Sequence, residues 1–258
     1  MPYAPLDLTN KTAVVIGGTS GIGLGIAKGL AQAGANVVPT GRRAELAQSA
    51  AAEIKSAGGK SLALACDVTT RASIEALLAA TIAEFDSVEI LVNSAGTTKR
   101  TPSLDVTEAE WNNIIEINLN GTFRACQVFG RHMIERKYGR IINIASVASF
   151  LALFEVSAYS ASKGAVAMLT KSLAVEWGKH GVCVNAIAPG VYRTDLNAGL
   201  LDGTARGAEF KLRNPMGRFG QLNELIGAAI FLASESASYT NGHILAVDGG
   251  MLASGVNQ

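Results

Sequence analysis

The sequence predicts an α/β fold, a single doubly wound parallel sheet of seven strands with helices on both faces. Three observations predict it. Short apolar runs alternate with longer amphipathic ones from end to end, as strands joined by crossover helices do. The hydrophobic content of 48% and mean hydropathy of +0.26 suit strands buried on both faces. A glycine-rich turn stands between the first strand and the first helix.

The elements follow in order. Strands are expected at 12–16, 36–39, 61–66, 90–93, 140–145, 182–188 and 244–247, each a short apolar run. Helices are expected at 21–32, 44–57, 73–85, 108–130, 158–178 and 223–233. No linker, repeat or low-complexity tract interrupts them, so residues 1–258 are read as one domain. The stretch 192–221 breaks the rhythm, with no clear strand and mixed charges, and is read as a substrate-binding loop or lid.

Composition excludes several functions. A net charge of +1, without clustered Lys and Arg, argues against nucleic-acid and membrane-surface partners and for a small-molecule substrate. Cys66, Cys126 and Cys183 are widely spaced in apolar surroundings, and His132, His180 and His243 are scattered. Reduced, buried thiols are expected, and no metal. Residues 1–5 carry no basic segment followed by an apolar stretch, and no run approaches eighteen apolar residues, so a cytoplasmic location is expected.

Gly17-Gly18-Thr19-Ser20-Gly21-Ile22-Gly23 directly follows the first strand and opens the first helix. Glycines there permit a tight turn and bring backbone N–H groups to a pyrophosphate at the positive end of the helix. This placement makes the fold Rossmann-type, with Gly17, Ser20, Gly21, Ile22 and Gly23 as cofactor contacts. The next strand ends in Thr40-Gly41-Arg42-Arg43, where an NAD-binding protein would carry an acidic residue for the ribose hydroxyls. A guanidinium instead matches a 2'-phosphate. NADP(H) is therefore the expected preference, with NAD(H) possible; Arg42 is the first contact and Arg43 the second, unless both arginines merely solvate a helix start.

Tyr159 and Lys163 stand four residues apart, on one face of a helix, thirteen residues after Ser146. The Lys163 ammonium is expected to sit under the Tyr159 phenol and draw its pKa down from about 10, toward a value useful for general acid and base work. Ser146, on the loop after a strand, is placed to donate to a substrate oxygen as charge develops there.

From about residue 8 to 250 the chain resembles the short-chain dehydrogenase/reductase family. The resemblance implies a catalytic set of Asn118, Ser146, Tyr159 and Lys163, with Tyr159 as acid or base and Lys163 also holding the nicotinamide ribose. It places Asn118, in Glu116-Ile117-Asn118-Leu119-Asn120-Gly121, where the family holds a proton-relay water. It adds Asp67 and Val68 at the adenine, and Asn93, Ala95 and Gly96 from Asn93-Ser94-Ala95-Gly96. Pro189, Gly190 and Thr194 fall at the nicotinamide carboxamide. Val247-Asp248-Gly249-Gly250 resembles the family's closing strand. Ile16 stands where the family usually has a threonine and Ser94 where it has an asparagine, two departures at one inferred strand-end contact.

The stretches 141–150, 185–190 and 241–251 look most like the branch acting on gluconate and its deoxy or keto relatives, which implies a sugar-acid or polyol substrate. In that branch a basic pair follows the Asn-Ala-Gly strand, as Lys99-Arg100 does here, and these cations, with Arg193, would suit a carboxylate. A 3-oxoacyl-thioester reductase shares the same landmarks, and a non-catalytic NADP-sensing protein is the reading of another class. By family analogy the chain forms a homotetramer through the helices at 108–130 and 158–178. Val166, Leu169, Leu173 and Trp177 are apolar on the second of these, a spacing that serves a core equally well.

Overall fold

The computed structural model describes residues 4–194 and 197–255. Its strands are β1 (Thr12–Ile16), β2 (Asn36–Gly41), β3 (Leu64–Ala65), β4 (Ile90–Asn93), β5 (Gly139–Ile144), β6 (Val182–Pro189) and β7 (Ile244–Val247). Its helices are α1 (Gly21–Gln32), α2 (Ala44–Ser56), α3 (Arg71–Phe85), α4 (Glu108–Ile115), α5 (Gly121–Glu135), α6 (Ser157–Trp177), α7 (Ala198–Leu201), α8 (Ala205–Arg213) and α9 (Ile226–Ala233). All strand pairings are parallel, in the order β3-β2-β1-β4-β5-β6-β7. The order reverses between β1 and β4, where Ile16 pairs with Asn93 at the carboxyl ends. Ligands bind beyond such a switch point.

Alternation along each strand feeds two cores. Val15, Ile90, Val92 and Ile142 pack with Ile26 and Leu30 of α1 and Leu232 of α9 on one face. Val14, Ile16, Leu91 and Ile141 pack with Leu77 of α3, Phe129 of α5 and Leu173 of α6 on the other. Cys66, Cys126 and Cys183 are free and buried. No helix among the described residues is long and apolar enough to cross a membrane, and no group of three or more His, Cys, Asp or Glu among them could hold a metal.

Three expectations need correction. The strand expected at 61–66 shrinks to Leu64–Ala65: it is an edge, paired on one side only, and Ser61 instead donates its hydroxyl to the Val37 carbonyl at 2.6 Å. The helix expected at 108–130 is interrupted by a π turn, Glu116–Asn120, and then runs on to Glu135. Periodicity does not foresee the break, because an amide side chain causes the inward turn, as described below. The stretch 192–221 is not irregular, since α7 and α8 lie in it. Its ends meet in a bridge between Tyr192 and Gly220, so it leaves and rejoins the body at one place. Asp195 and Leu196 of this stretch, and Met1 to Tyr3, lie outside the described residues.

Candidate active site

The glycine turn forms because the chain must reverse tightly against β4. Gly17 has φ +81°, and a Cβ there would lie 2.5 Å from the Ala95 nitrogen. A side chain is excluded on both counts. The Ser94 N–H donates to the Ile16 carbonyl at 2.8 Å, so the two unusual positions do share one strand-end contact, made through backbone atoms.

A cleft of about 770 Å³ runs along the carboxyl ends of the strands. At its centre lie Gly17, Ser20, Gly21, Ile22 and Gly23, with α1 pointing its N-terminus inward. Ser20, the cap residue, makes no side-chain cap bond, and the first turn carries no acid. This leaves positive partial charge and backbone donors facing the cleft. Exposed Arg42 and Arg43 wall one end, beside Asp67 and Val68. The Asp67 carboxylate accepts from the Thr69 N–H and hydroxyl, at 2.9 and 2.8 Å. Those bonds, the backbone one first, hold it below the usual carboxylate range, and the Arg42 charge adds to them. The N-terminus of α1 and the two guanidiniums together fit a dinucleotide bearing several phosphates.

Ser146, Tyr159 and Lys163 line the same cleft with Ala95, Gly96, Pro189, Gly190 and Thr194. Ser146 follows β5 and caps a 3₁₀ turn, its Oγ accepting from the Ala148 N–H at 3.1 Å. Tyr159 and Lys163 project from the first turns of α6. Lys163 is 6% exposed and donates from Nζ to the Ile144 carbonyl at 2.6 Å. The Ser149 hydroxyl fixes that stretch of α6 by donating to the Lys163 carbonyl at 2.7 Å.

The electrostatics differ from the sequence expectation. Burial pushes the Tyr159 phenol above its ordinary value, and a hydrogen bond from Ser146 works the other way. The Lys163 ammonium lies over the tyrosine ring, 5.8 Å from its centre, and is turned to the Ile144 carbonyl. Burial draws Lys163 itself down to about 8.

Asn118 and Asn93 do not line the cleft; they stand behind it. Asn118 is fully buried in the π turn. Its amide accepts from the Thr97 N–H at 2.8 Å and donates to the Thr97 carbonyl and the Ser162 hydroxyl, each at 3.0 Å. Ser162 in turn donates to the Tyr159 carbonyl at 2.7 Å, so Asn118 ties the segment after β4 to the tyrosine's own turn. Asn93 donates to Asn143 at 2.9 Å, inside the sheet.

Lys99, Arg100 and Arg193, expected to await a carboxylate, already hold carboxylates of the chain. Lys99 pairs with Glu110 at 2.7 Å, Arg100 with Glu155 at 2.6 Å and Arg193 with Asp202 at 2.6 Å. Sequence reasoning missed Thr19, Tyr192 and Asn197, which also line the cleft. Asn197 carried a signal: three residues after Thr194, its Oδ1 accepts the Thr194 N–H at 2.8 Å, a local side-chain turn.

Comparison with known proteins agrees with this geometry. A family model described as "Enoyl-(Acyl carrier protein) reductase" matches residues 17–252. Gluconate 5-dehydrogenase of Gluconobacter oxydans is 40% identical over 248 residues, covering 96% of this chain and 97% of that one. The 2-dehydro-3-deoxy-D-gluconate 5-dehydrogenase of Bacillus subtilis is 43% identical over 246 residues, covering 95% and 96%. A crystal structure of a gluconate 5-dehydrogenase from Burkholderia cenocepacia, in complex with NADP and tartrate, superposes with a TM-score of 0.94 at 39% identity, over 97% of this chain and 98% of that one. On the nucleotide cleft, the fold and these full-length relatives together, the chain belongs to the short-chain dehydrogenase/reductase family of nicotinamide-dependent oxidoreductases.

Proposed function

We propose that the protein is an NADP(H)-preferring oxidoreductase of sugar acids and related polyols, with Tyr159 as its proton donor and acceptor. One observation carries the reading: Ser146, Tyr159 and Lys163 line the same cleft that Arg42 and Arg43 wall at one end. The substrate class follows the relatives, which include D-threitol dehydrogenase of Mycolicibacterium smegmatis beside the gluconate enzymes.

When bound, NADP(H) supplies or accepts the hydride at the carbonyl or carbinol carbon. In reduction Tyr159 gives its phenolic proton to the substrate oxygen, while the Ser146 hydroxyl donates to that oxygen as negative charge grows. Lys163 would hold the nicotinamide ribose, and the π turn around Asn118 would support the water path that reprotonates the tyrosine. Segment 192–221 acts as the substrate loop, a role supported by Tyr192, Thr194 and Asn197 on the cleft wall. The working assembly is a homotetramer.

The test combines one substitution and one screen. Tyr159→Phe is expected to lower kcat by about 10²–10⁴-fold with NADPH affinity largely intact; retention of most activity overturns the assignment. Wild-type protein is then offered gluconate, 5-ketogluconate, D-threitol and an acetoacetyl thioester with each cofactor. Preference for the thioester would favour the acyl-carrier reading that the family model's description suggests, and binding of NADPH without any turnover would favour a sensor.

A further inference from the structure

Beside the nucleotide cleft lies a second cavity, of about 1200 Å³, between the loop after Ser146 and helices α7 and α8. Two chain segments join the cavities. Thr97 and Thr98 line the cleft and Arg100 the second cavity; Thr194 and Asn197 line the cleft and Gly199 the second cavity. These shared segments set the second cavity next to the cleft that holds Tyr159.

Arg206 lines this cavity and is placed against three costs. It lies in the first turn of α8, the end of the helix that repels a cation. It is partly buried, and burial first and the Arg100 charge second push its pKa down, against the weaker pull of Glu155 and Glu209. No carboxylate among the described residues lies within 4.0 Å of its guanidinium, although Lys99, Arg100, Arg193, Arg213 and Arg218 each have one. Its geometry is nevertheless held: Nη1 donates to the Phe154 carbonyl at 3.1 Å, and the guanidinium lies 5.3 Å from the centre of the Phe210 ring. Around the cavity Arg100, Arg206 and Arg213 face Glu155 and Glu209, which pair with Arg100 and Arg213, so one net positive charge is left, the complement of a monocarboxylate.

We infer that Arg206 reads the carboxylate of the substrate and so sets the preference for sugar acids over neutral polyols; the inference rests on the sugar-acid reading above. An arriving carboxylate would relieve all three costs and take a forked pair of hydrogen bonds. The experiment compares kcat/KM for D-gluconate with that for D-glucitol, its uncharged counterpart. In Arg206→Met, which keeps an apolar stem against Phe210, the gluconate-to-glucitol ratio is expected to fall at least tenfold, chiefly through KM. Arg206→Lys, which keeps the charge and loses the fork, should recover part of the ratio. An unchanged ratio in both variants, or a change of oligomeric mass in place of a change of ratio, overturns the inference. If the wild type turns over no sugar acid, the sugar-acid reading fails, and calorimetry of gluconate binding to the NADP-loaded protein decides the site separately. Heat seen with wild type and lost in Arg206→Met upholds the carboxylate site; no heat with wild type ends it.

Discussion

Lys163 shows what a single side chain does in this site beyond its spacing from Tyr159. Its folded pKa, about 8, lies below the ordinary value of 10.5, so between those values the unfolded chain binds more protons than the folded one. Stability from this residue therefore rises as pH climbs from about 8 to 10.5, and below 8 the buried charge costs about 3 kcal/mol. The rise in urea midpoint between pH 8 and pH 10 should accordingly be larger in wild type than in Lys163→Met; equal changes would remove the argument. At the other end of the cleft, Arg42→Ala is expected to lower kcat/KM for NADPH about 10- to 100-fold, the worth of a lost charge-assisted hydrogen bond, and to leave NADH nearly unaffected. Steady-state kinetics with both cofactors check it. The identities of these residues were legible in the sequence, because motif spacing selects them. The orientation of the Lys163 ammonium was not, because it depends on where β5 presents the Ile144 carbonyl.

At the scale of the element, the π turn Glu116–Asn120 is the feature that periodicity could not supply. Apolar spacing reads 108–130 as one helix, and only the contact of Asn118 with Thr97, a residue 21 positions away, explains the inward turn. Such bulges gather at functional sites. Asn118→Leu removes three hydrogen bonds and leaves the Thr97 N–H and carbonyl without these partners. A loss of about 3 kcal/mol in urea unfolding is expected, together with a fall in kcat. Helices α1 and α2 were placed to within one residue, since each begins at a turn whose residues are diagnostic. The edge strand β3 was overextended, because an apolar run does not say how many neighbours it will have.

For the whole molecule, the parallel sheet and its nucleotide end were written in the chain: alternating runs, a glycine turn after β1 and arginines after β2 need only local geometry. Assembly was not. Val166 and Leu173 are buried in the protomer, and Leu169 and Trp177 pack against its core. Met168 and Val175, seven residues apart on α6, are instead 60% and 84% exposed. For the proposed homotetramer, with this face of α6 between copies, light scattering should give about four times the 26.7 kDa protomer mass, and Val175→Glu should lower it. The sequence by itself determined the fold class, the glycine cradle and the Ser146, Tyr159 and Lys163 set, all of which depend on residues near one another along a strand, turn or helix. Only the tertiary structure decided that Lys99, Arg100 and Arg193 are already paired and that Arg206 faces a cavity beside the cleft. Which carboxylate reaches which cation depends on distances between segments far apart in the chain, and local spacing carries no record of them.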